Sequence, residues 1–220
     1  MRFPSAGFIL ILAATVVARN SFGQERIRLI DIKSVDPTIV IDLRYAGSNN
    51  IAGRPLYPAG TRALIRPEVA QRLSVAQSFL RRYNYRLAIW DAYRSRPVQV
   101  QLWQASHSND YVADPDAGAG SLHSWGLAVD ATLTDMWNRP VSMPTDFDDF
   151  TPAAMWVYLG TDPSIRAHLI TLQIAMREAG FYGLRSEWWH FTIRNWQKLL
   201  PPEEAKRAIE AYEMIEEGKL

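Results

Sequence analysis

SLHSWGLAVDATL, residues 121–133, decides the fold. As a strand, GLAVDATL puts Leu127, Val129, Ala131 and Leu133 on one face and Ala128, Asp130 and Thr132 on the other. Asp130 is then a carboxylate in a run of small and apolar residues. Such a group is costly to bury unless it is paired, hydrogen-bonded or bound to a metal. His123 lies just upstream, and Gly126 lets the chain turn between the two. One loop and one strand therefore bring an imidazole and a carboxylate to the same point.

SEWWHFTI, residues 186–193, repeats the oddity with Glu187 and His190. In a regular strand these two side chains point to opposite faces, because their separation is odd. For both to serve one centre, Glu187 must lie in the turn before the strand or at a bulge.

Working outward, 27–46 is rich in Ile and Val and reads as strand broken at Asp36-Pro37, and 47–62 reads as a loop. Pro67 opens a helix whose inward face is Val69, Leu73, Ala76 and Leu80. A strand over 85–93 follows, then a helix over 97–106 with Val98, Leu102 and Ala105 inward. Residues 107–120 are a polar loop, and 134–152 a long irregular excursion. Asp162-Pro163 starts a helix with Ile165, Leu169, Leu172, Met176 and Ala179 inward, stopped by Gly180. EWWHFTI is another strand. From Pro202 the chain forms a charged helix with Ala205, Ile209, Tyr212 and Ile215 on one side. The expected fold is α+β: a small central antiparallel sheet carrying the polar cluster, flanked by helices.

The 220 residues suit one sizeable domain. Hydrophobic content is 48% and charged content 21%, as in ordinary globular proteins. A formal net charge of +1 gives no reason to expect a nucleic-acid partner. The N-terminus places Arg2 before an apolar stretch from Phe8 to Ala18, then small residues at Ser21 and Gly23. That is the order of a secretory signal, read as residues 1–23 with the domain spanning 24–220; cleavage after Ala18 and an uncleaved anchor are the alternatives. The expected location is outside the cytoplasm, periplasmic or secreted, without stable membrane insertion after cleavage. There are no cysteines, so a metal here needs nitrogen and oxygen ligands, and the chain has four histidines: His107, His123, His168 and His190.

Two imidazoles and two carboxylates are the inventory of a catalytic zinc site, in which three protein ligands leave a position for water. His123, Asp130 and His190 would be ligands, and Glu187 the base that takes the proton of water. Arg94 follows the 85–93 strand among aromatics and could donate to a developing oxyanion. The competing reading makes Asp130 a buried acceptor for a loop and Arg94 an ion-pair partner of Asp91. His107 and His168 read as ordinary structural or surface residues.

The segments IDLRYAGSNNIAGRPLY, DAYR, SLHSWGLAVDATL, MPTDFDDF and EAGF…EWWHF, in that order over about residues 38–193, resemble the zinc D-alanyl-D-alanine dipeptidases, relatives of the D,D-carboxypeptidases. The resemblance implies one Zn2+ per chain on His123, Asp130 and His190, Glu187 as catalytic base and Arg94 as transition-state stabiliser. It implies a substrate contact at Ser121 and an acceptor for the substrate ammonium at Asp146 or Asp148. The expected substrate is a small D,D-dipeptide. One departure is visible: Ser95 follows Arg94 where the family pattern has proline, and the proline comes at Pro97. A carboxypeptidase or endopeptidase acting on peptidoglycan stem peptides, and a zinc-stabilised binding module without turnover, are the alternatives.

Overall fold

A computed structural model describes residues 27–106 and 111–216, with side chains described through residue 209. The signal segment and His107 lie outside the described residues. The core is a five-stranded sheet in the order β2-β4-β5-β7-β6, formed by β2 (Val40–Ile41), β4 (Tyr85–Asp91), β5 (Ala128–Asp135), β6 (Phe181–Gly183) and β7 (His190–Ile193). A second small antiparallel sheet pairs β1 (Ile30–Asp31) with β3 (Leu64–Ile65). The helices are α1 (Pro67–Arg81), α2 (Arg96–Ser106), α3 (Pro163–Glu178) and α4 (Pro202–Glu216). No described helix is long and apolar enough to cross a membrane.

β5 is the spine. It pairs antiparallel with β4 on one side and β7 on the other. Both its faces are buried. Leu127, Val129, Ala131 and Leu133 join the apolar core, as the alternation predicts. Helices α1 and α3 contact each other and the sheet. Val69, Leu73, Ala76 and Leu80 of α1 are all 0% exposed. Pro67 sits in its first turn, where the missing N–H costs nothing. Asp162 caps α3 by accepting from the backbone N–H groups of Ser164 and Ile165. Gly180 ends the helix at φ +88°, and the space above it holds the Arg72 guanidinium, which donates to Ala179 O at 3.0 Å.

Several expectations need correction. The sheet is mixed, since β2 runs parallel to β4 with Val40 beside Ala88 and Ile41 beside Ile89. The intervening loop and α1 return the chain in the same direction, as a parallel crossover requires. The 27–46 region holds only the short β1 and β2. Asp31 and Asp36 accept local bonds from Lys33 N and Thr38 N, and these turns compete with ladder pairing. EWWHFTI is a strand only from His190. The three-residue edge strand β6 shows no alternation that a sequence reading would detect. In α4, Ala208 is buried while Ile209 is 42% exposed, so the helix docks through the small Ala205 and Ala208 instead. Tyr212 and Ile215 lie beyond the described side chains.

One irregularity positions the site. Along β4, Ile89 faces Ala131, but Asp91 faces Asp130, so Trp90 is an extra residue. This bulge sets Asp91, Asp130 and His190 in one row across β4, β5 and β7.

Candidate active site

The turn before β5 delivers His123. Ser121 Oγ accepts from His123 N at 3.3 Å and caps a 3₁₀ turn over Leu122–Trp125. Gly126 closes that turn at φ +65°, and a Cβ there would stand 2.8 Å from the Leu29 side chain. Gly126→Ala is therefore expected to cost at least ~1–2 kcal/mol through its left-handed backbone alone. That lowers the melting temperature by about 2–8 °C in a chain of this size, read by thermal denaturation.

Three ligand atoms converge. His123 Nε2 lies 3.2 Å from His190 Nδ1 and 3.4 Å from Asp130 Oδ1, and His190 Nδ1 lies 3.1 Å from Asp130 Oδ1. Tetrahedral ligands at about 2.0–2.1 Å from a zinc ion stand roughly 3.3 Å apart, so this triangle has the size that such an ion needs. The imidazole orientations agree with it. His123 Nδ1 meets Ala92 O at 2.9 Å, and a carbonyl can only accept, so the proton sits on Nδ1 and Nε2 keeps its lone pair. His190 Nε2 faces Thr192 Oγ1 at 3.2 Å, leaving Nδ1 for the cluster. These residues form a group able to hold a metal ion.

The electrostatics also call for a cation. Asp91, Asp130, Asp148 and Glu187 are buried, and Arg94 is the one buried residue with a permanent positive charge among the described residues. Despite its burial, Asp130 is held well below the usual carboxylate range by the His123 and His190 imidazoles. Glu187 goes the other way. Burial, then the charges of Asp130 and Asp148, push its carboxyl well above the usual range. Its Oε1 is buried without a hydrogen-bond partner. A buried, unbonded carboxylate oxygen beside such a triangle is poised to accept a proton.

Glu187 lies in the turn ahead of β7, where the odd spacing requires it to be. His190 N donates to Glu187 O at 3.3 Å, and Trp188 N donates to Ala154 O at 2.9 Å. Trp188 and Trp189 are almost wholly buried and meet edge to face at 5.4 Å. Two large buried rings in succession make this turn rigid.

Arg94 is 6% exposed. Its backbone N–H donates to His123 O at 3.2 Å, its Nη1 lies 3.2 Å from Asp91 Oδ2, and its guanidinium stacks 5.1 Å above the Tyr45 ring. The arginine is thus fixed by β4 and the His123 turn, whatever the proline shift from Ser95 to Pro97. Ser121 is buried beside the cluster, with its Oγ engaged in the cap.

The two candidate aspartates separate cleanly. Asp146 has a side chain 66% exposed and sits 3.6 Å from Arg44 Nη1. Asp148 is buried, accepting from the Tyr45 hydroxyl at 3.2 Å and from Ile51 N at 3.0 Å. Its carboxyl is pushed up to about 7, by burial first and by Asp130 in addition, against the opposing pull of Ile51 N–H. A raised acid stabilises the fold fully below its ordinary value of 3.8, and that contribution is lost as pH rises through about 7. Denaturant titrations of metal-free Asp148→Asn should therefore show a smaller loss of stability from pH 4 to 8 than the parent chain.

His168, as expected, stands apart, bonded to Ser142 O at 2.9 Å and edge-on to Tyr85. Tyr45 and Tyr57 reach the site unannounced by the sequence reading. Tyr45 stands just before the 47–62 loop and Tyr57 within it, where there is no periodicity, so no spacing connects them to Asp91 or Asp148.

The chain is similar to known proteins over most of its length. The family model described as D-Ala-D-Ala dipeptidase matches residues 25–203. The D-alanyl-D-alanine dipeptidase of Escherichia coli is 33% identical over 165 residues, covering 75% of this chain and 84% of that protein. The D-alanyl-D-alanine dipeptidase of Enterococcus faecium is 26% identical over 172 residues, covering 70% and 85%. A family match over most of the length, with a relative at that identity, shows that the chain belongs to the D-Ala-D-Ala dipeptidase family.

Proposed function

We propose that this chain is an exported, zinc-dependent dipeptidase that hydrolyses D-alanyl-D-alanine, with one ion per chain on His123, Asp130 and His190. The observation that carries this is the convergence of those three ligand atoms near Glu187, whose Oε1 is buried without a hydrogen-bond partner. Family membership supports the peptidase chemistry and the D,D-dipeptide substrate. The order of charge, apolar stretch and small residues in 1–23 supports export to the periplasm or beyond.

When bound, zinc polarises the scissile carbonyl and makes water a nucleophile near neutral pH. Glu187 takes the proton from that water and returns it to the leaving amine. Arg94, held by Asp91 and Tyr45, donates to the oxyanion as it develops. Asp148 receives the substrate ammonium, and Asp146, turned outward to Arg44, does not. Ser121 borders the substrate next to His123. Phe150 stacks on Tyr111 at 4.7 Å and 12°, tying the 134–152 excursion to the 107–120 loop. That tie supports a closed wall suited to a dipeptide over a longer stem.

Asp148→Asn keeps an acceptor for Ile51 N–H and removes the charge that faces the ammonium. A hydrogen bond to a charged group is worth ~1.5–3 kcal/mol, so KM for D-Ala-D-Ala should rise roughly 10- to 100-fold. The preference over the N-acetylated dipeptide should shrink by the same factor. Equal KM and equal preference would remove Asp148 from this role. The whole reading is tested by assaying the purified protein on dipeptides of both chiralities and on muropeptides, with and without chelator. Chelator-sensitive cleavage confined to D,D-dipeptides is expected; indifference to chelator, or preference for intact muropeptides, overturns it.

A further inference from the structure

Asp91 enters the chemistry above only as a partner of Arg94, yet it is 0% exposed and faces Arg94, His123 and Asp130 together. The bulge at Trp90 brings it directly opposite Asp130. Like charges so placed on neighbouring strands repel, and a sheet tolerates them only with compensation. Regular pairing would have put Trp90 opposite Asp130 instead. The chain thus spends a ladder irregularity on aiming this carboxylate at the site.

Its two oxygens divide their contacts. Oδ1 accepts a hydrogen bond from the Tyr57 hydroxyl. Oδ2 lies 3.2 Å from Arg94 Nη1 and 3.3 Å from His123 Nδ1. Tyr57 comes from the 47–62 loop, Arg94 from the end of β4 and His123 from the turn before β5. We propose that Asp91 is a positioning residue that aims two working groups at once, the His123 imidazole and the Arg94 guanidinium, with Tyr57 holding the carboxylate in register.

The chemistry follows from the contacts. The Nδ1 proton is donated to Ala92 O, and the Asp91 charge 3.3 Å from the same nitrogen favours keeping it there, which makes Nε2 a better donor to a cation. Asp91 Oδ2 also holds the Arg94 guanidinium by charge, 3.2 Å from Nη1 and without a hydrogen bond, so its N–H groups are left to meet an oxyanion. Because Tyr57 occupies Oδ1, Oδ2 is the oxygen presented to both the guanidinium and the imidazole N–H. An asparagine cannot reproduce this. Its one oxygen can satisfy Tyr57 or the Arg94 and His123 pair, and its NH2 would face other N–H donors.

This inference rests on the zinc dipeptidase reading, and the test separates the two. The proteins are full-length Asp91→Asn and Tyr57→Phe. The readouts are zinc affinity by competition with a chromophoric chelator, kcat and KM on D-Ala-D-Ala, and thermal unfolding of the metal-free form. Outer partners of metal-bound histidines typically change metal affinity by ~10–100-fold. Asp91→Asn should lose zinc affinity on that order and lose kcat by at least ~10-fold, with KM within about threefold. Tyr57→Phe should move both quantities in the same direction by a smaller factor. A folded Asp91→Asn whose zinc affinity and kcat stay within twofold of the parent overturns the proposal, whatever its melting temperature. Should Asp91→Asn not fold, Tyr57→Phe decides: unchanged zinc affinity and kcat overturn it. A parent chain that takes no zinc overturns the underlying reading and this one with it.

Discussion

Glu187→Gln will take up zinc with the stoichiometry of the parent chain and hydrolyse D-Ala-D-Ala ~10²–10⁴-fold more slowly, at nearly unchanged KM. The range is what a positioned general base contributes. The amide has the shape of the carboxyl but cannot carry the proton from water to the leaving amine. Structure gives little reason for collateral damage. Glu187 Oε1 has no hydrogen-bond partner to lose, and burial already disfavours the charged form. The metal-free variant should therefore melt at the same temperature as the parent or higher. The measurements are metal analysis, steady-state kinetics and thermal denaturation of one preparation. Hydrolysis at the parent rate with zinc bound would remove Glu187 from the mechanism.

Removing the ion should have the other large effect. Chelator treatment, or His190→Ala, should bring hydrolysis to background, and zinc should restore the chelated parent but not the variant. The stability change is calculable in form. An ion present at 100 times its dissociation constant stabilises the fold by ~2.7 kcal/mol. For a chain of this size that is a drop of about 5–11 °C in melting temperature on chelation. In His190→Ala the same chelation should shift the melt far less, because two ligands remain where three converged. A parent melt indifferent to chelator would contradict a bound ion.

The helices and the central strand were legible because burial imposes a period. Pro67 and Asp162-Pro163 mark starts, and the Val69-Leu73-Ala76-Leu80 row and the Leu127-Val129-Ala131-Leu133 row mark faces. His123, Asp130, Glu187 and His190 were legible as chemistry out of place: polar groups in apolar runs. The placement of Glu187 ahead of its strand followed from parity alone. What stayed hidden depends on contacts distant in sequence. Asp148 and Asp146 differ by two positions and have the same side chain, and only Tyr45 and Ile51, about a hundred residues upstream, distinguish them. Asp91 looked like a simple partner for Arg94 because the bulge at Trp90 leaves no mark on the pattern of residues. The direction of β2 was invisible for a related reason: two residues carry no orientation signal, and the crossover through α1 sets it.

Asp130 and His190 are direct neighbours across the rungs joining β5 and β7. Their separation is therefore fixed by main-chain pairing, with side-chain rotation only refining it. Sliding β7 by a single residue would turn His190 to the far side and bring Phe191 into its place. Chelating power in this protein is thus a property of strand alignment: a lesion in the ladder, even one that leaves every ligand unmutated, would cost the ion its seat.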